Sequence, residues 1–422
     1  MPDHGFYRSH LENDVMAWWL ANGPDTEFGG VRTCFANSGD TLVSTDKYTW
    51  SQGRWVWLTA RLSRAARSGL LGLDADALLR HSVGTAEFVA AHALLGDGTT
   101  AYVTAADGTV KPFGENGDPH ASVFADLFAA LGFAGLHGEL AATGIPQTRP
   151  WGQLAEELLV SARDRILAGT AKNEPYPVDP RFRCFAEPMI LMHVGAELFA
   201  ATGSAKAGEI AAAAAADALS GVFVTGTDVH EMPPRHKGLD DTLLARHRTP
   251  GHLLEFLWFL QHAAAEVPGV AKVADPAWMA GAALGALELA WDTAEGGLFR
   301  YADSQGGAPR GRLLDDRYEN LVTHTWDTKL WWPHAEALYT TALLAKSHGS
   351  AELASWHDRI HEYTFTTFPE GPGREWTQIR ARDGRPLDEV VALPVKDPFH
   401  IARALLLLVE LRAETENGEA GN

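Results

Sequence analysis

PDTEFGGVRTCFANSGD, residues 24–40, returns late in the chain as WDTAEGGLFRYADSQGG, residues 291–307. Both copies run from an Asp-Thr through a Gly-Gly into alternating residues and then a turn. AYVTAADGTVKPF (101–113) and GREWTQIRARDGRP (373–386) are weaker versions, each with the Asp-Gly dipeptide that favours tight hairpins. Between these segments apolar residues recur with the helical period. The pattern predicts helices over 7–22, 50–67, 75–95, 120–141, 151–169, 186–202, 204–219, 250–266, 275–291, 330–347, 351–367 and 398–413. Helix pairs alternating with hairpins, without a long linker or charge run, describe one unit repeated until it closes on itself. Twelve helices suit six inner and six outer ones. The expected fold is therefore all-α, an (α/α)6 barrel with short β-hairpins at one end. A β/α barrel is disfavoured because strong strands do not alternate singly with the helices. The alanine-rich run 210–218 reads as an exposed outer helix, not a linker, so residues 1–422 are expected to form one domain.

Composition limits the function. Hydrophobic residues are 46% of the 422, with 14 Trp and 18 Phe, which is ample for a large core. A net charge of −19 argues against nucleic acid and anionic membranes as partners. Two cysteines, Cys34 and Cys184, cannot make a disulfide framework or a four-cysteine zinc site. The N-terminal MPDHGFYRSHLENDVM lacks a basic-then-apolar leader pattern. No run of about 18 apolar residues suggests a membrane span. The expectation is a soluble, cytoplasmic protein.

In a helical toroid the inner helices are wrapped by protein and their starts line a central cavity, where polar groups can do chemistry. Four stretches put aromatic and ionisable residues just ahead of a buried helix. DKYTWSQGRWVWLTARL (46–62) carries Trp50 and Arg54. HRTPGHLLEFLWFL (247–260), with Arg246 just upstream, carries His252 and Glu255. TKLWWPHAEAL (328–338) carries Lys329, Trp331 and Glu336. LPVKDPFHIARALLLLVE (393–410) carries His400. In the second stretch Thr249 and Pro250 read as an N-cap hydroxyl followed by a first-turn proline. His252 and Glu255, three apart, share a face of a helix that is apolar almost all round, so the pair needs a partner or a purpose.

TDKYTWSQGRWVW, ARHRTPGHLLEFLWFL, KLWWPHAEAL and KDPFHIARALL resemble, in order and spacing, the signature segments of the N-acylglucosamine 2-epimerase family. AEPMILMHVGAEL (186–198) resembles a fifth, and together they span residues 45–410. The resemblance implies an (α/α)6 barrel and an enzyme that inverts or isomerises C2 of a free reducing sugar. It carries catalytic roles to His252 and His400 and supporting roles to Arg54, Glu255 and Glu336. It also implies that no metal or cofactor is required, and a homodimer as a common form. Two positions depart from the family pattern: Ala402 replaces the proline of His-x-Pro-Arg, and Thr325 stands where an acidic residue is frequent before the WWP segment.

The chemistry accounts for these residue types. The C2 proton of an open-chain aldose is acidic because the C1 carbonyl can take up the charge, so a base must reach C2 and donors must hold the enediolate oxygen. Histidine titrates near neutrality, and at the start of its helix the dipole should disfavour the imidazolium of His252. Glu255 would then fix the ring's tautomer or hold a sugar hydroxyl, and Arg54 would face the developing oxyanion. Trp50, Trp331 and Trp332 offer stacking faces. His193, His247 and His334 are expected to contribute to the pocket wall at best. Two histidines from distant segments suit 2-epimerisation, while one suffices for aldose–ketose isomerisation of the mannose–fructose kind, so both readings stay open. An inverting glycoside hydrolase using two of Glu187, Glu231, Glu255 and Glu336, and a non-catalytic interaction scaffold, are the alternatives from other classes. His247 and His252 are poorly spaced for metal, and there is no HExxH, Walker or dinucleotide fingerprint.

Overall fold

The computed structural model describes residues 4–114, 116–390 and 394–420. Three consecutive segments, His4–His10, the π-helical Leu11–Met16 and Ala17–Asn22, make one N-terminal helix, α1. Eleven more long helices follow: α2 Thr49–Arg67, α3 Ala75–His92, α4 Val123–Thr143, α5 Trp151–Ala168, α6 Ala186–Thr202, α7 Ala205–Ala218, α8 Pro250–Glu266, α9 Pro276–Ala290, α10 Trp331–His348, α11 Ala351–Thr367 and α12 Phe399–Ala420. All twelve expected helices are there. The pattern missed the short Leu243–Arg246, Pro268–Ala271 and Arg317–Thr325. The last had a readable signal, a capping box between Asp316 and Glu319.

The even-numbered helices form the inner ring. Each packs on the next, α2 on α4, α4 on α6 and so on, and α12 closes the ring against α2. The odd-numbered helices lie outside, so the fold is an (α/α)6 barrel. Apolarity follows the layers: α4 is buried along nearly its whole length, whereas α5 buries a stripe, Trp151, Ala155, Leu158, Leu159 and Ala162. By length and composition α4 alone among the described helices could cross a membrane, but 83% of its most apolar window is inside the barrel, as befits a core helix. The alanine-rich α7 is indeed an outer helix, half-buried through Ala207, Ile210, Ala211, Ala214 and Ala215.

Side-chain capping is commoner in the outer layer, although α5 starts at Pro150 without a cap bond and the first turn of inner α12 is held by Asp397. Asp74, Ser204, Asp275 and Ser350 cap α3, α7, α9 and α11 through their side chains. The starts of α2, α4, α6, α8 and α10 carry no side-chain cap bond. This corrects the expectation for Thr249, whose carbonyl rather than hydroxyl serves the first turn of α8, accepting from His252 N–H at 3.0 Å.

The hairpins differ in detail from the local ones expected. Only Val224–Thr225 with Asp228–Val229 is a simple two-stranded hairpin among the described residues. Elsewhere the strand just before an inner helix pairs with the connection after the following outer helix: Lys47–Tyr48 with Val103–Thr104, His247–Arg248 with Ala302–Asp303, and Lys329–Leu330 with Ile379–Arg380. The local turns survive as single bridges such as Pro24–Val31 and Trp291–Leu298.

The two strong repeat copies are built alike. Gly29 and Gly30, and Gly296 and Gly297, all have φ between 71° and 83°, which an L side chain would strain. Asp25 and Asp292 each cap their own turn, and each meets a fully buried lysine from the strand ahead of an inner helix: Lys47 at 2.8 Å and Lys329 at 3.1 Å. Lys329 was a candidate substrate residue; the structure makes it a bolt between a turn and α10. Arg382 also bonds Asp292, at 2.7 and 3.0 Å, so Lys329→Met leaves that carboxylate partly satisfied. The expected result is a loss of about 1–3 kcal/mol of stability, with any catalytic activity within about twofold of the parent because Lys329 does not line the central cavity; thermal unfolding and steady-state kinetics read the two separately.

Candidate active site

The inner-helix starts surround one cavity, and six of the nine predicted site residues, Trp50, Arg54, His252, Glu255, Trp331 and His400, line it. His252 is the third residue of α8 and His400 the second of α12. Trp332, on the intervening α10, touches both imidazoles, with ring centroids 5.3 Å from His252 and 5.9 Å from His400. The glycine of the PGH motif permits this. A Cβ on Gly251 would lie 2.4 Å from the Trp332 ring, so any larger residue would drive the tryptophan from between the histidines.

The two histidines are wired in the same way. His252 Nδ1 lies 3.0 Å from Glu231 Oε1, and His400 Nδ1 lies 2.7 Å from Glu336 Oε1. An ionised carboxylate only accepts, so each Nδ1 carries the proton and each Nε2 keeps its lone pair. His252 has 22% of its side chain exposed to the cavity while Glu231 behind it is buried. Burial alone would push the His252 ring down, but the charge and hydrogen bond of Glu231 raise it above the ordinary imidazole value. Burial would likewise raise Glu231, and His252 holds it below the usual carboxylate range. The helix-dipole expectation of a depressed His252 is therefore corrected: a full charge 3.0 Å away outweighs the partial charge of a helix end.

Glu231 makes the contact to the His252 ring that was one of the two expectations for Glu255. Glu255 instead accepts from Arg403 Nη2 at 2.6 Å, and the same Nη2 reaches Glu336 Oε1 at 2.7 Å. Trp258 Nε1 bonds the other oxygen of Glu336 at 2.7 Å. Burial would raise Glu336, but Arg403 and His400 bring it down to about 2, so it stays a carboxylate. Glu255, Glu336 and His400 form the one group of metal-ligand types that converges among the described residues. The Arg403 guanidinium already occupies the position a cation would take. The same contact brings Glu255 and Glu336 closer together than the about 6.5–9.5 Å that separates the two carboxylates of an inverting hydrolase.

Arg54 reaches the cavity wall stacked among Phe128, Trp50 and Phe399, at 4.1, 4.9 and 4.9 Å from their centroids, with Nη1 3.7 Å from Asp397 Oδ1. Burial lowers its pKa to about 10, so it remains a cation at neutral pH. Trp331 donates to Asp397 Oδ2 at 3.2 Å. Arg246, by contrast, is not part of the cavity: it forms a fork with buried Asp303 at 2.6 and 3.0 Å and secures the strand ahead of α8. None of the three further histidines lines the cavity. His334 donates from Nδ1 to the Leu330 carbonyl and accepts the Leu298 N–H at Nε2, His247 bonds the Leu244 carbonyl, and His193 stacks on Phe259.

Sequence reasoning missed Asp397, Tyr176 and Arg300 on the cavity wall, and weighed Glu231 only as a hydrolytic carboxylate. No local signal marks Glu231, which reaches His252 from an irregular segment after the Val224–Val229 hairpin. Arg300 had an indirect one: its Nη1 donates to the hydroxyl of Thr325, one of the two departures from the family pattern, at 3.0 Å.

Fold and site together define a helical-barrel protein with a histidine–carboxylate pocket at its centre. The model of the N-acylglucosamine 2-epimerase (GlcNAc 2-epimerase) family matches residues 28–404. The chain belongs to that family and is a carbohydrate isomerase. It is 27% identical to the N-acylglucosamine 2-epimerase of Bos taurus over 405 residues, covering 94% of this chain and 88% of the relative. Among solved structures it is similar to a sugar epimerase from a ruminal bacterium, with TM-score 0.74, 16% identity and coverage of 96% and 98%. A D-mannose isomerase structure superposes with TM-score 0.67 at 16% identity, covering 96% and 97%. At these identities the structures establish the shared fold.

Proposed function

We propose that the chain inverts C2 of a free aldose or N-acyl aldosamine, with His252 and His400 as the two proton-transfer groups. One observation carries the reading: two histidines from different inner helices line one cavity, each with Nδ1 held by a buried carboxylate and Nε2 left for substrate. The open-chain sugar binds with C2 between them. One Nε2 removes the C2 proton, charge moves onto the C1 oxygen, and the other imidazolium returns a proton to the opposite face of the planar enediolate. Arg54 donates to the oxygen on which charge develops, and Glu231 and Glu336 stabilise whichever ring is charged. The protein's own side chains supply every proton, so the reaction calls for no cofactor. The same pair serves aldose–ketose isomerisation if one base carries the proton from C2 to C1.

The test is incubation in D2O with N-acetylglucosamine, mannose, glucose and fructose in turn, followed by proton NMR. Deuterium at C2 with the 2-epimer as direct product supports the proposal. A ketose formed from the aldose identifies the isomerase instead, and absence of exchange with any of the four counts against both.

The Glu231 contact gives a pH prediction. The base must be neutral, so activity is lost as pH falls through the raised pKa of His252. Glu231→Gln still accepts the Nδ1 proton but removes the charge, leaving burial to dominate. The acid limb of kcat/KM should move to lower pH; a limb that stays in place would detach Glu231 from His252.

A further inference from the structure

We propose that Asp397 is a specificity-determining residue that, with Arg54, admits a neutral hydroxyl-bearing group and rejects an anionic one; this rests on the reading of the cavity as a sugar site. Asp397 has an ordinary structural job, which accounts for only half of its carboxylate. Oδ2 accepts the His400 N–H at 3.1 Å, capping the first turn of α12, and the Trp331 indole N–H at 3.2 Å. The backbone on either side of it is fixed as well. Gln378 donates to the Asp397 carbonyl at 2.8 Å and accepts its N–H at 2.9 Å, so the carboxylate has little freedom to turn away.

Oδ1 is left facing Arg54. Nη1 of Arg54 lies 3.7 Å away, outside direct hydrogen-bond distance, and Arg54 Nε is buried with no bonded partner among the described residues. The guanidinium does not close the gap because three aromatic rings hold it. Both groups line the cavity, with Asp397 more than nine-tenths buried. The result is an acceptor and a set of donors side by side, each short of a partner.

A hydroxyl fits this arrangement because it accepts from Arg54 and donates to Asp397. So does a carbonyl beside a hydroxyl or an amide N–H, as at C1 and C2 of an open-chain aldose or N-acyl aldosamine. A carboxylate or phosphate ester offers acceptors alone. Arg54 by itself would welcome such a group, but the buried charge of Asp397 stands beside it and repels it.

The test compares open-chain ligands matched in shape and different in charge, D-glucitol and D-gluconate, by titration calorimetry. The wild-type protein should bind glucitol at least about tenfold more tightly than gluconate. Asp397→Asn keeps a side-chain oxygen for the cap and for Trp331, since asparagine caps as well as aspartate. Its melting temperature should match the parent while its preference inverts toward gluconate. Asp397→Ser, another capping residue without charge, provides the same comparison if the asparagine variant does not fold. Equal binding of the two ligands by the wild type, an unchanged ratio in the folded variant, or binding of neither ligand overturns the proposal. An inverted preference in a protein that exchanges no C2 proton would sustain Asp397 as a charge filter and dismiss the epimerase reading, so the two failures are distinct.

Discussion

Replacing either His252 or His400 by asparagine should lower the rate of 2-epimerisation by about 10²–10⁴-fold, the range over which a positioned acid or base contributes. Asparagine preserves a hydrogen bond to the carboxylate behind each ring, so the fold should persist; His252 is partly exposed, and His400, though buried, lines the cavity. The two variants should differ in what they retain. With His252 absent, His400 can still remove the proton from the epimer that presents C2–H to it, and the same ring can return deuterium to that face. In D2O each single variant should therefore exchange the C2 proton of one epimer without forming the other, and the two variants should choose opposite epimers. Loss of all exchange in both would mean that the histidines act as one unit. Full activity in either would remove that ring from proton transfer.

Arg403→Met should cause the largest loss of stability. Arg403 is 1% exposed, and one of its nitrogens holds both Glu255 and Glu336. Its guanidinium also packs on Phe399 and Trp258 at 4.3 and 4.8 Å. Methionine keeps the volume but leaves two buried carboxylates without their cation, a change that typically costs about 3–5 kcal/mol. Glu336 would then follow burial upward from about 2, and once protonated it no longer holds the Nδ1 proton of His400. Activity should fall with stability. The sign fixes the pH window: in the wild type the contribution of Glu336 is fully present above the ordinary carboxylate value of 4.5 and is lost as pH falls toward about 2. Thermal unfolding at neutral pH and near pH 3 checks it; the gap between wild type and variant should be wide at the first and narrower at the second. Arg403→Lys, which restores the charge without the planar guanidinium, should recover part of the stability.

The helices, their order and their alternation between layers were readable from the chain because they rest on local physics. Apolar residues at helical spacing must face a core, and a Gly-Gly that needs positive φ marks a turn wherever it occurs. The repeat at 24–40 and 291–307 therefore announced a closed helical array, and the aromatic and ionisable residues at helix starts announced a cavity. His252, His400, Arg54, Trp50 and Trp331 were named from such starts, and the structure gathers them round one space. Closure of the ring decided the partners. Glu231 reaches His252 across 21 residues of chain, Arg403 meets Glu255 across 148, and Glu336 joins His400 across 64. No local pattern encodes those distances. The same limit explains Lys329 and Arg246, which share the composition of a site but pair with Asp292 and Asp303 away from the cavity lining. A charged residue near a buried helix must find a counter-charge, and the sequence shows that need; whether a carboxylate or a substrate meets it depends on which way the folded backbone turns the side chain.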